Sequence, residues 1–313
     1  MIMKVNLGRL CIPFGMKCNF NCKYCYRDEC RKDIVNKPTE SFINYIKRLS
    51  PKETYVVVAS GGEPLLYFDT IKEVFSVVPN GIHKKIMTNG SLLTKDVVSY
   101  LNKNNVEVSL SHDGVMTKYL RSYDIFKDVD KLKLCKSINN LVITSVITNK
   151  NTDIMEVYRY EMDILQRPFY FKPCVIQPTP VNEYLYRDFD FDKFQKGYME
   201  YLATNAWLPN AWYKGTSFYP RCHVNVLLDG TVIGTKTMNR YGTVWDNKEK
   251  IIDTFYKTEN EHLNYCINKE CDRIGSCFEM VSNESDFACK INKIKKECQS
   301  IMNYGGISQY VRN

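Results

Sequence analysis

The amino-acid sequence predicts an α/β fold: a partial (β/α)6 barrel of the TIM type, followed by a small cysteine-rich subdomain containing a β-hairpin. Three observations predict it. Six short β-branched apolar segments recur through the first half, and helix-like stretches separate them. After about residue 180 that alternation stops and an aromatic, then cysteine-rich, pattern takes over. Strands that alternate with helices are joined by crossovers and pair in parallel, so the first half reads as a parallel sheet.

The expected strands are Lys4 to Ile12, Tyr55 to Ala59, Lys84 to Thr88, Val106 to Ser111, Leu141 to Ile147 and Phe169 to Ile176. Helices are expected near 39–49, 69–78, 94–104, 126–136 and 152–165. Pro38-Thr39-Glu40 and Thr94-Lys95-Asp96 carry a polar cap followed by an acid in the first turn, which marks a helix start. Six such units fill part of a barrel; periodicity does not distinguish that from an open sheet. Beyond the aromatic stretch from Asn182 to Tyr219, Val224 to Leu228 and Thr231 to Gly234 flank Asp229-Gly230, a strong hairpin signal. The boundary is expected between 180 and 220, giving a barrel domain of 1–200 and a second subdomain of 201–313.

Of the 313 residues, 44% are hydrophobic and 25% charged, enough to bury a full core. No apolar run reaches the 18 residues or so of a transmembrane helix, and the first residues lack the pattern of a signal peptide. A cytoplasmic protein without membrane partners is expected. The net charge of +8 comes from dispersed Lys and Arg, which suits a solvated surface or an acidic partner such as an acidic peptide. No basic tract with interleaved aromatics is present, so nucleic acid is not an expected partner.

Thirteen cysteines are the compositional anomaly. A reducing compartment keeps thiols free, so tightly spaced ones point to metal or cluster ligation. Cys18, Cys22 and Cys25 lie within eight residues, just after the first expected strand. In a parallel α/β fold the loops at the carboxyl ends of strands form the active face. Three thiolates there can each take one iron of a cubane cluster and leave the fourth iron open. The competing reading is a zinc site completed by Cys11 or Cys30. Buried, unliganded thiols fit poorly, since Asn and Lys separate the cysteines.

This pattern resembles the radical S-adenosylmethionine (radical SAM) superfamily. The CxxxCxxC signature, with an aromatic before its last cysteine, is matched by Cys18, Cys22, Tyr24 and Cys25. The resemblance covers roughly residues 1–175. Ser60-Gly61-Gly62-Glu63-Pro64 looks like the family's GGEP motif, Met87-Thr88-Asn89-Gly90 like its TNG motif, and Ser111-His112-Asp113-Gly114 like its SLDG step, with Arg121 behind. Each is weak alone; four in order at successive strand ends are strong. The resemblance implies a [4Fe-4S] cluster with an open iron, bound S-adenosylmethionine and an external one-electron reductant such as a flavodoxin or ferredoxin. It implies reductive cleavage to methionine and a 5′-deoxyadenosyl radical that abstracts hydrogen. Gly61 and Gly62 are expected to let the backbone approach the ligand, and Glu63 to accept from the methionyl ammonium. Arg121 with Ser111 is expected to hold the carboxylate. Tyr24, Pro64, Asn89 and Asp113 are expected at the cofactor or its supporting loops, with ordinary turn chemistry the alternative for Asn89 and Asp113.

Cys266, Cys271, Cys277 and Cys289, with Cys222 before the hairpin, look like part of a SPASM or twitch extension. The full pattern has a further cysteine where Thr235 stands and another near Val281, so one auxiliary iron–sulfur cluster is expected rather than two. Cys266, Cys271, Cys277 and Cys289 are the expected ligands. Cys222 is an alternative ligand or a hydrogen-atom donor, and zinc is the competing metal. The other five cysteines read as ordinary, with Cys298 the most exposed. SPASM-type relatives commonly modify peptides, so a peptide-modifying maturase is the first functional expectation. A twitch-type dehydrogenase of a small molecule is the second, and a non-catalytic iron–sulfur regulator is the reading from another class.

Overall fold

The computed structural model describes residues 8–25, 34–204, 224–234, 238–258 and 282–304. Its spine is six parallel strands: β1 (Arg9–Pro13), β2 (Val56–Ser60), β3 (His83–Thr88), β4 (Glu107–Ser111), β5 (Leu141–Ile147) and β6 (Tyr170–Val175). They lie side by side in chain order, each paired in parallel with the next. Between them run α1 (Glu40–Lys47), α2 (Phe68–Ser76), α3 (Lys95–Lys103), the short α4 (Thr117–Arg121), α5 (Val129–Lys136) and α6 (Ile154–Leu165). The α/β class with a partial, unclosed barrel is thus observed.

Helix starts follow their caps. The Thr39 hydroxyl accepts from the Phe42 amide and that of Thr94 from Val97, while Asp128 and Asp153 cap α5 and α6. The two faces of the sheet differ in kind. Leu10, Ile12, Val57, Ala59, Ile86, Val108, Leu110, Ile143 and Phe171 join one apolar core with helix residues such as Phe42, Ile71 and Leu101. Alternate positions point the other way, and there the register aligns Cys11, Val58, Lys85 and Glu107 across four strands. On that face Lys85 pairs with Glu107 at 2.5 Å, His83 bonds Glu107 at 3.0 Å, and Ser109 bonds Thr144 at 2.7 Å. Burial would raise the Glu107 carboxyl, but its hydrogen bond to His83 and its pairing with Lys85 bring it down to about 2.

The expected hairpin exists as β7 (Val224–Val226) and β8 (Thr231–Gly234), antiparallel about Asp229-Gly230. It joins the main sheet, because β7 pairs in parallel with β1 at Cys11 and Asn225. β9 (Arg240–Thr243) completes the order β6-β5-β4-β3-β2-β1-β7-β8-β9. One sheet therefore runs through both expected domains. Helix α7 (Phe191–Leu202) precedes the hairpin, and α8 (Lys248–Thr258) and α9 (Ser282–Tyr304) follow β9. α7 lies within the stretch read only as aromatic-rich. Asp190 caps it, and Phe194, Tyr198 and Tyr201 form its buried stripe.

Candidate functional site

The loop after β1 leans on the loop after β2. The Phe14 amide donates to the Ser60 carbonyl (3.0 Å), the Gly62 amide to Gly15 (2.8 Å) and the Glu63 amide to Lys17 (2.9 Å). The parallel ladder so continues past both strand ends. A Cβ on Gly61, at φ +124, would stand 2.2 Å from the Gly15 carbonyl oxygen, and one on Gly62 would stand 2.2 Å from that of Lys17. These glycines were expected to make room for a ligand. The space where their side chains would stand is filled instead by the backbone that leads into the cysteines.

Cys18, Cys22 and Cys25 are half-buried, outside any disulfide, on one loop that the fold ties down at several points. The Asn89 amide donates to the Asn19 side chain (3.0 Å) and lies 4.0 Å from the Cys18 sulfur; Asn19 in turn donates to Ser91 (2.8 Å). The Lys23 amide donates to the Leu120 carbonyl (2.9 Å), and Asn182 reaches the Tyr24 carbonyl (3.4 Å). Segments following β3, β4 and β6 thus converge on the loop. Burial pushes the Cys22 thiol up to about 12; Arg121 opposes the rise, while Cys25, Asp113 and Cys18 add to it.

Glu63 is fully buried. Its Oε1 accepts from the Leu65 amide (3.0 Å) and the Thr88 hydroxyl (2.6 Å), and its Oε2 from the Asn89 amide (2.8 Å). A carboxylate offers about four acceptor sites, so the ammonium contact expected of Glu63 is confined to what remains on Oε2. Burial raises this carboxyl above its ordinary value, and the three bonds partly offset it. Glu63 caps the 3-10 turn Pro64–Tyr67, with Pro64 at its first position. Its main observable work is to join the ends of β2 and β3.

Arg121 does not stand free beside Ser111. Its Nε and Nη2 fork onto Asp113 at 2.8 and 3.0 Å, and Asp113 also accepts from the Tyr24 hydroxyl (2.6 Å) and the Val146 amide (2.7 Å). All three side chains are buried, and the guanidinium carbon lies 5.2 Å from the Tyr24 ring centroid. The fork expected on a methionyl carboxylate is thus engaged within the chain, where a buried cation needs a partner. Ser111 ends β4, half-buried and opposite Thr144 in the register. Asn89 combines both of its expected roles: it supports the cysteine loop, and its own Oδ1 accepts from the Ser91 amide in a local turn (2.9 Å).

His112 was overlooked as a group with a role. It is fully buried between two carboxylates, Nδ1 at 2.6 Å from Glu161 and Nε2 at 2.9 Å from Asp124, and stacks on Phe126 with centroids 4.0 Å apart. The signal was Glu161, an acid on the stripe of α6 otherwise formed by Ile154, Val157 and Leu165. Burial would lower the imidazole, but the carboxylates overcome it and raise it from 6.5 to about 9. A raised folded-state value stabilises fully below the unfolded one and is lost as pH climbs through the folded one. The thermal midpoint should therefore fall between pH 6.5 and about 9. His112→Gln should flatten that profile, and equal slopes in wild type and variant would contradict the assignment.

Cys222, Cys266, Cys271 and Cys277 lie outside the described residues, and Cys289 is half-buried on α9. Cys298, expected to be exposed, is buried, because α9 packs against α7 and turns this thiol toward the Gln195 carbonyl. Among the described residues no helix is long and apolar enough to cross a membrane.

Residues 12–159 match the family model of the Radical SAM superfamily. A radical SAM cyclopropyl synthase of Paramaledivibacter caminithermalis is 29% identical over 161 residues, 44% of this chain and 34% of that one. The chain thus spans about a third of the length of that curated relative. Among solved structures, native anSMEcpe with bound AdoMet and the Cp18Cys peptide superposes with TM-score 0.65 at 19% identity, covering 97% of this chain and 99% of that one. Streptococcus suis SuiB bound to its precursor peptide SuiA gives TM-score 0.52 at 17% identity, covering 79% and 64%. The cysteine loop after β1, the glycine loop after β2 and the Asn and Asp turns after β3 and β4 all fall inside the matched segment, so residues 12–159 form a domain of the radical SAM superfamily.

Proposed function

We propose that this chain is a radical SAM enzyme whose substrate is a peptide. The observation that carries the reading is the cysteine loop: three half-buried thiols at the carboxyl end of a parallel sheet, joined to the loops after three other strands. The donor set fits an iron–sulfur cluster. Burial first, and the neighbouring thiols to a lesser degree, make Cys22 resist ionisation, and a cationic metal centre would relieve both. Cys18, Cys22 and Cys25 would hold a [4Fe-4S] cluster, which would supply one-electron reductive cleavage of S-adenosylmethionine.

The chain's own residues prepare that site. Arg121 favours the thiolate of Cys22 by its charge. Asp113 holds Arg121 and Tyr24, and Asn89 and Asn19 fix the Cys18 end. Two buried polar atoms at strand ends, the Ser60 hydroxyl and the Gln177 side-chain oxygen, have no partner within the described residues and suit the polar groups of a bound cofactor. Contacts to S-adenosylmethionine from Ser111, from the backbone of Gly61 and Gly62 and from the remaining acceptor site of Glu63 belong to this proposal. So does a single auxiliary cluster at Cys266, Cys271, Cys277 and Cys289, with Cys222 its alternative ligand or a hydrogen donor.

The peptide assignment is supported by the peptides bound to the two structural neighbours and by the net charge of +8, which suits an acidic chain. Its test is isotopic. With reductant, S-adenosylmethionine and a perdeuterated peptide pool, deuterium should appear in 5′-deoxyadenosine. Deuterium arriving only from perdeuterated small alcohols would reverse the assignment.

A further inference from the structure

The site just described needs an electron from outside, and the surface around the cysteine loop bears on where it enters. The loop alternates. Cys18, Cys22 and Cys25 are half-buried, whereas Lys17, Asn19, Asn21 and Lys23 between and before them are exposed. The Lys23 amide is tied to Leu120 at the end of α4, and its ammonium sits 3.6 Å from the centroid of the half-exposed Tyr119 ring. Lys118, exposed on the same short helix, extends the cluster.

The described residues of the cysteine loop and of α4 carry charge of one sign. Residues 8–25 contain Arg9, Lys17 and Lys23 and no Asp or Glu, and residues 114–121 contain Lys118 and Arg121 and no Asp or Glu. Asp113, next in sequence to the second segment, is buried and already bonded to Arg121 and Tyr24. Lys23 occupies a further distinctive place, between two of the cluster cysteines, so whatever docks on it is held against the redox centre.

We propose that Lys23 and Lys118, beside the Tyr119 ring, with Lys17 at the start of the cysteine loop, form the docking surface for a small acidic flavin-bearing electron-carrier protein. This rests on the radical SAM reading above. Clustered cations steer an acidic partner and raise its on-rate. An exposed aromatic ring at the centre of the patch suits the flat exposed edge of a flavin. The step balances: the anionic flavin hydroquinone loses one electron and becomes the neutral semiquinone, while the cluster core passes from the 2+ to the 1+ state.

The test uses the reconstituted holoenzyme and follows bleaching of its visible cluster absorbance in stopped flow. The donors are flavodoxin hydroquinone and photoreduced 5-deazariboflavin, the latter small and uncharged. The second-order rate with flavodoxin should fall at least about tenfold in Lys23→Glu/Lys118→Glu and fall steeply with salt in wild type. The deazaflavin rate should stay at the wild-type level in the variant. Lys118→Glu alone, outside the cysteine loop, should show part of the loss without any change in iron content. A wild-type flavodoxin rate in the double variant, or equal slowing with both donors, overturns the docking surface. Wild-type protein that takes up no iron and sulfide overturns the catalytic reading itself.

Discussion

Replacing Cys18, Cys22 and Cys25 together by Ala should abolish 5′-deoxyadenosine formation and remove one cluster's share of iron and acid-labile sulfide. The loss should be complete rather than graded, because the proposal gives each thiolate a different iron. Cys11 faces away along β1 toward Val58 and Asn225 and accepts from Arg9 at 3.0 Å. Iron held at the C-terminal cysteines should remain. Protein emptied of both would show that the two sites are not independent. Retention of the full wild-type iron by the triple variant would remove the loop from the account. The fold itself should survive, since these side chains are half-buried and make no part of the apolar core except at Cys22, which lies at its margin.

Asp113→Ala should be the most damaging single substitution outside the cysteines. The carboxylate is fully buried and accepts four hydrogen bonds, two from Arg121 and one each from Tyr24 and Val146. Removing it leaves a guanidinium buried without its partner, a change that costs about 3–5 kcal/mol. For a chain of this size that corresponds to a fall of roughly 10 °C in the thermal midpoint. Arg121→Met added to Asp113→Ala should recover part of the loss, because it removes the stranded charge. An Asp113→Ala midpoint within a degree of wild type would mean that the pairing contributes little. The variant should also hold the cysteine loop less firmly, as Tyr24 loses the anchor for its hydroxyl.

The main chain was legible because its signals are local. Five of the six expected strands lie within a residue or so of the observed ones, since β-branched apolar segments between helical stripes announce themselves. Thr39 and Thr94 marked helix starts for the same reason. The motif residues could be placed at strand ends, yet the partners of their side chains could not be read. Tyr24 and Asp113 are 89 positions apart, and nothing near either one specifies the other. Likewise the conformational freedom at Gly61 and Gly62 was evident, but its beneficiary, the backbone of residues 15–17, was not.

Pairing of β7 with β1 escaped the sequence for a related reason. A hairpin signal fixes two strands against each other and carries no information about which sheet edge receives them. Where a local rule was broken, however, a clue existed. Glu161 on an apolar helical stripe and His112 in the place of an apolar residue are each costly to bury alone, and together with Asp124 they form one charged cluster.

The most direct test is 5′-deoxyadenosine measured after anaerobic reconstitution, reduction and addition of S-adenosylmethionine, in wild type and Cys22→Ala. Product in wild type and none in the variant is the predicted result. A fully loaded, reduced wild type that forms none, or a Cys22→Ala protein that forms as much, would contradict the assignment.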